Sequence, residues 1–85
     1  MKWIIDGYNS INLDNVSAVQ VIGKANNVKI RFQFLGSESD YLLGLFSSHD
    51  AAYWHWRKAL DVLETEQVLI WANIKLEEFE NKEMF

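Results

Sequence analysis

The chain of 85 residues contains no cysteine and no proline, and only four glycines. Without cysteine there is no disulfide framework, no thiolate nucleophile and no cysteine-ligated zinc site, so a reducing compartment is compatible with the sequence. Average usage would place about four prolines in a chain of this length, and their absence excludes proline-rich linkers and polyproline ligands. The glycines form neither GxGxxG nor GxxxxGK followed by Ser or Thr, so phosphate-cradling loops are excluded and no cofactor is implied. Long hydrophobic runs are missing too. The longest, Val68 to Ala72, falls far short of the ~20 residues of a spanning helix, and Lys2 and Asp6 interrupt the N-terminus before any stretch of signal-peptide length. The expected location is cytoplasmic, with no membrane partner.

What is present is the balance of a soluble globular domain, 49% hydrophobic and 24% charged, with four Trp, three Tyr and five Phe to build its core. A chain this small buries only about 60–68% of its unfolded surface, so tight packing or self-association must add stability. The net charge of −4 is uneven. Residues 1–48 hold four basic and four acidic groups, whereas residues 49–85 hold four basic and eight acidic. A neutral body therefore carries an acidic C-terminal end.

Val28 to Phe34 alternates apolar and polar residues without a break, which predicts a strand with Val28, Ile30, Phe32 and Phe34 inward and Lys29, Arg31 and Gln33 outward. Upstream, Val16 to Ile22 is rich in β-branched residues, and Gly23 to Asn27 supplies the turn of a hairpin. After the polar break Leu35 to Asp40, Tyr41 to Phe46 forms a third strand. Trp3–Ile5 and Ile11–Leu13 flank Asp6-Gly7 and predict a short first hairpin, whose outgoing strand leads towards the next. Ser47 to Asp50 has the composition of a capping box, with Phe46 and Ala51 at the staple positions. The helix that follows, Ser48 to Glu64, places Ala52, Tyr53, Trp56, Ala59, Leu60, Val62 and Leu63 on one face. Val68 to Leu76 alternates like a strand, with a short acidic helix or frayed end from Glu77; a continuing helix is the rival reading. The fold class is α+β: an antiparallel β-meander of four to five strands packed against one amphipathic C-terminal helix, with a short strand or helix extension. Residues 1–66 make the domain, and 67–85 an apolar then acidic extension, part of that domain or a dimerisation arm.

Trp3-Ile4, Ile11 to Ser17, Ile30-Arg31-Phe32 and Leu43 to Ser48 leading into an alanine-bearing helix resemble short uncharacterised bacterial and phage proteins of pleckstrin-homology-like layout. The resemblance spans residues 3–64 and implies an antiparallel meander closed by a C-terminal helix. The chain is too short for the seven strands of a full pleckstrin-homology domain, residues 65–85 lie outside the resemblance, and it brings no functional residue with it.

Ser48, His49 and Asp50 have the letters of a hydrolase triad, but neighbours in sequence cannot converge on one atom, and a helix cap explains them. His49 and His55 are six apart rather than three or four, so they do not share a helical face as metal ligands. Glu77, Glu78 and Glu80 sit in a charge-rich end where a catalytic carboxylate pair would be hard to order. Lys24, Lys29 and Arg31 form a basic stripe on the outer sheet face, yet no aromatic accompanies it on that strand and the pI is near 5.0, which argues against nucleic acid. Trp54 falls off the apolar helix face, beside Arg57 and Lys58. Either the C-terminal segment folds back over it, or Trp54 with Trp71 meets a partner, since buried Trp and neighbouring Arg dominate interface energetics.

The sequence thus implies a non-catalytic protein-protein interaction module, a homo-oligomer that binds and occupies a surface of another protein. Its expected interface residues are Trp54, Arg57, Lys58, Trp71, Glu77, Glu78 and Glu80. Two alternatives are a phage-type inhibitor that presents its acidic surface to a host defence nucleic-acid complex, and nucleic-acid binding through the sheet face.

Overall fold

In the computed structural model, residues 1–74 are described. The chain opens with a tight hairpin, β1 (Trp3–Asp6) and β2 (Asn9–Asn12), in register Trp3↔Asn12 to Asp6↔Asn9. Gly7 takes a φ of 60° at the turn, a conformation costly for any residue with a Cβ. The outgoing strand does not run into the next. The Asn12 side chain accepts the Asp14 N–H at 3.0 Å, starting a 3-10 turn over Leu13–Asn15 that ends the first hairpin.

β3 (Val16–Lys24), β4 (Asn27–Phe34) and β5 (Asp40–Phe46) form the expected antiparallel meander. Only Ala25 and Asn26 remain as the β3–β4 loop, with Asn26 at φ 64°. Val28, Ile30 and Phe32 are fully buried, as their alternation requires. β5 departs from strict alternation. Val28 pairs Phe46 while Ile30 pairs Leu43, so β5 carries an extra residue, accommodated by Gly44 at φ 78°. That bulge turns both Leu43 and Phe46 inward although they are three apart, and leaves Leu42 and Leu45 exposed.

The helix α1 (His49–Leu63) begins one residue later than the capping box suggests. Ser48, not Ser47, is the cap: its hydroxyl accepts the Ala51 N–H at 3.1 Å. Ser47 is held by the β3–β4 loop, its carbonyl accepting the Asn26 N–H at 2.9 Å. His49 Nε2–H donates to the Gly23 carbonyl at 2.6 Å, so hairpin tip and helix start are fastened together. The buried helix stripe is Ala51, Ala52, His55, Ala59 and Leu63, with Trp56 against Phe32 edge-on at 5.4 Å. Tyr53 and Leu60, expected inward, are 57% and 44% exposed. The face is rotated towards His55 because the chain after the helix returns on that side.

β6 (Val68–Ile70) lies parallel to β1, in register Trp3↔Val68 to Ile5↔Ile70. The described strands therefore form two three-stranded sheets, β2-β1-β6 and β3-β4-β5, with α1 in contact with both. The molecule is α+β, a meander against one helix. The expected strand to Leu76 stops at Ile70, however, and a 3-10 turn follows at Trp71–Asn73. Trp71 turns into the core and the Ile74 carbonyl accepts from a helix side chain instead of a strand neighbour. Lys75, Leu76 and the acidic stretch from Glu77 lie outside the described residues. A hydrogen bond of 2.6 Å from Tyr41 Oη to Asp6 Oδ2 joins the two sheets.

Candidate functional site

Trp54, Arg57 and Lys58 come together on one side of α1. With Asp61 they line a shallow recess of about 260 Å³. Trp54 is half-buried, with the Lys58 ammonium 5.6 Å from its ring centroid, close enough for a cation–π attraction. Trp71 does not join them on the surface. It is 8% exposed and lies in the core, its indole stacked on the His55 ring at 4.6 Å and 18°. Glu77, Glu78 and Glu80 lie outside the described residues.

His55 enters the sequence reading only as a candidate metal ligand, and its place in the core is what that reading missed. It lies between Ala51 and Ala59, four residues away on either side, and these two small side chains leave room on the buried stripe for an imidazole. That spacing was the available signal. Besides the Trp71 stack, Phe46 meets the ring edge-on at 5.3 Å, and Nε2–H donates to the Ile74 carbonyl at 3.0 Å. Nδ1 is buried and has no hydrogen-bond partner among the described residues. Burial pushes the His55 pKa below the usual histidine range, opposed in part by the bond to Ile74. The imidazole therefore acts as a neutral wedge that pins the last described turn to the helix.

The other perturbed group is Tyr41. Burial first, then the Asp6 carboxylate beside it, pushes its phenol up to about 12. Such a tyrosine keeps its proton and serves as a donor to Asp6. Ser48 and His49 are occupied as helix cap and hairpin tie. No cluster of three or more His, Cys, Asp or Glu that could hold a metal occurs among the described residues. On the outer face of the meander, Arg31 Nε is bound to Asp40 Oδ2 at 2.7 Å, so one of the stripe's cations already has a carboxylate.

A second surface is built by the β1–β6 pairing. In that register Ile4 and Leu69 point to the core, while Trp3, Ile5, Val68 and Ile70 share the opposite face, next to Ser10 and Asn12 of β2. Val68 and Ile70 are 51% and 50% exposed, and Trp3 and Ile5 are half-buried. Four apolar side chains thus stand in a block on a sheet face, with β6 at the edge of its sheet among the described residues. The sequence held a signal for this face: Trp3-Ile4-Ile5 and Val68-Leu69-Ile70 are apolar at every position, which a strand with one wet face does not need. Comparison of the chain with family models, curated proteins and solved structures found no match, so the functional reading rests on these surfaces alone.

Proposed function

We propose that the chain is a non-catalytic protein-interaction module that meets its partner through the outer face of the β2-β1-β6 sheet, and that the first such partner is a second copy of itself. The observation that carries this reading is the block Trp3, Ile5, Val68 and Ile70 at the edge of the sheet. Contiguous apolar surface beside a strand that is at the sheet edge among the described residues gains free energy by being covered, at about 25 cal/mol per Å² removed from water. The edge backbone can add main-chain hydrogen bonds to the same contact. Self-association also answers the stability problem of a chain of 85 residues. The residues Trp54, Arg57 and Lys58 are then a separate surface on the helix side.

Sedimentation of the full chain over a dilution series tests the proposal. The expected result is a dimer of 10.0 kDa chains that dissociates on dilution, and a monomer at all concentrations for Val68→Glu combined with Ile70→Glu. A wild-type chain that stays monomeric at hundreds of micromolar, or a variant that dimerises as well as wild type, would sink it.

A further inference from the structure

We propose that Asp6 is a self-modification site: the Asp6-Gly7 linkage rearranges through a succinimide to isoaspartate, and the phenol of Tyr41 gates the rearrangement by holding the hairpin tip closed. Three observations meet here. The first is the chemistry of the turn. A carboxyl group followed by glycine stands next to a main-chain nitrogen that no side chain shields. Gly7 is exposed at a φ of 60°, a Cβ built on it meets nothing within 4 Å, and the neighbouring Tyr8 side chain is fully in solvent. The pair that closes this two-residue turn is Asp6↔Asn9, which leaves the Gly7 N–H outside the ladder. The reaction needs only water. The Gly7 nitrogen attacks Asp6 Cγ, a C–N bond forms, and the side-chain hydroxyl leaves as water with the amide proton. Water then opens the five-membered ring. Cleavage of the new bond restores aspartate, whereas cleavage at the Asp6 main-chain carbonyl gives isoaspartate, in which the chain runs through Cβ and Cγ.

The second observation is the backbone of Asp6, the last residue of β1. Ring closure requires the Gly7 nitrogen to rotate until it eclipses Cβ, far from the extended ψ of a strand, so the reaction proceeds when the tip opens. The third is a clamp on that opening. Tyr41 Oη–H donates to Asp6 Oδ2 at 2.6 Å, and the Asn9 side chain hydrogen-bonds the same phenol. One side chain of β5 therefore ties both residues that close the turn. Isoaspartate at position 6 lengthens the main chain by one methylene, which undoes the Asp6↔Asn9 register and moves the carboxylate off Tyr41. The aged chain thus loses the hydrogen bond that joins its two sheets.

The test ages the full chain for weeks at physiological pH and temperature, as folded wild type, Tyr41→Phe, Asn9→Ala and Gly36→Ala, beside wild type unfolded in urea. Isoaspartate at position 6 is quantified by peptide mapping with electron-transfer fragmentation, which separates isomers of equal mass. Conversion should be fastest in urea and slowest in folded wild type, with Tyr41→Phe at least threefold faster than the latter. Asn9→Ala, which leaves Tyr41 in place and removes the other half of the clamp, should be faster than wild type too. Gly36→Ala strains a turn outside the first hairpin, so it separates release of the clamp from general loss of stability, and it should age like wild type. Either clamp variant converting no faster than wild type, acceleration in Gly36→Ala equal to that in Tyr41→Phe, or no isoaspartate at position 6 even in urea would overturn the proposal.

Discussion

Acidification should destabilise this protein through His55. Its imidazole is buried against Trp71 and Phe46, Nε2–H already serves Ile74, and a proton added to Nδ1 would find no acceptor among the described residues. Burial holds the folded-state pKa below the ordinary histidine value of 6.5, so below that pH the unfolded chain takes up a proton that the folded chain refuses. The stability His55 provides is therefore complete above about pH 7 and is lost as the pH falls towards the folded pKa. If the folded imidazole stays neutral, a single histidine of ordinary unfolded pKa removes about 1.2 kcal/mol between pH 7 and pH 5.5. The comparison is with His55→Phe, which keeps an aromatic ring against Trp71 but cannot be protonated. Loss of the Ile74 bond costs that variant about 0.5–1.5 kcal/mol at neutral pH. Urea unfolding followed by far-ultraviolet dichroism at both pH values gives the two stabilities. The other titratable groups are common to both chains, so the difference between them should shift by about 1 kcal/mol in favour of His55→Phe on acidification. A gap independent of pH would refute the neutral, buried assignment of His55.

Other perturbations separate backbone strain from packing and test the joint between the sheets. Gly36 and Gly44 both have positive φ, but a Cβ at Gly36 meets nothing within 4 Å whereas one at Gly44 comes 2.7 Å from the Phe46 ring. Gly36→Ala should cost about 1–2 kcal/mol and Gly44→Ala about 1–3 kcal/mol more, read from urea midpoints; equal costs would contradict the bulge geometry. Tyr41→Phe should destabilise by about 1–2 kcal/mol by removing the donor to Asp6. Because the Tyr41 pKa is raised to about 12, wild-type stability should fall as pH rises from 10 towards that value, and thermal melts of Tyr41→Phe should lack this component. Arg31→Ala should change stability by less than about 1 kcal/mol, since its ion pair with Asp40 is solvent-exposed.

The local elements were legible because each obeys a rule that acts over a few residues. Val28 to Phe34 alternates and is a strand; Asp6-Gly7 is a turn; a serine begins the helix. The features that position the candidate surfaces depend on residues distant in sequence. Nothing near Val68 says that its strand will lie parallel to Trp3, so the apolar block on the sheet face was not visible until the two triplets were paired. Gly44 reverses the face of Phe46 through a bulge that alternation cannot show. The helix wheel gave the right helix with its buried face displaced, because a histidine between two alanines reads as polar until Trp71 is placed against it. For the same reason Trp71, expected with Trp54 on the surface, belongs to the core, while Trp54, Arg57 and Lys58 do gather as a surface group.

In the proposed dimer two copies meet on the face that carries Val68 and Ile70. The absence of cysteine allows a direct measurement, because a single introduced thiol is the only one in the chain. Val68→Cys, treated at micromolar concentration with a short bifunctional maleimide, should be converted largely to a covalent dimer, while Tyr53→Cys, exposed on the helix, should stay monomeric under the same conditions. Equal crosslinking of the two chains, or none at position 68, would contradict it.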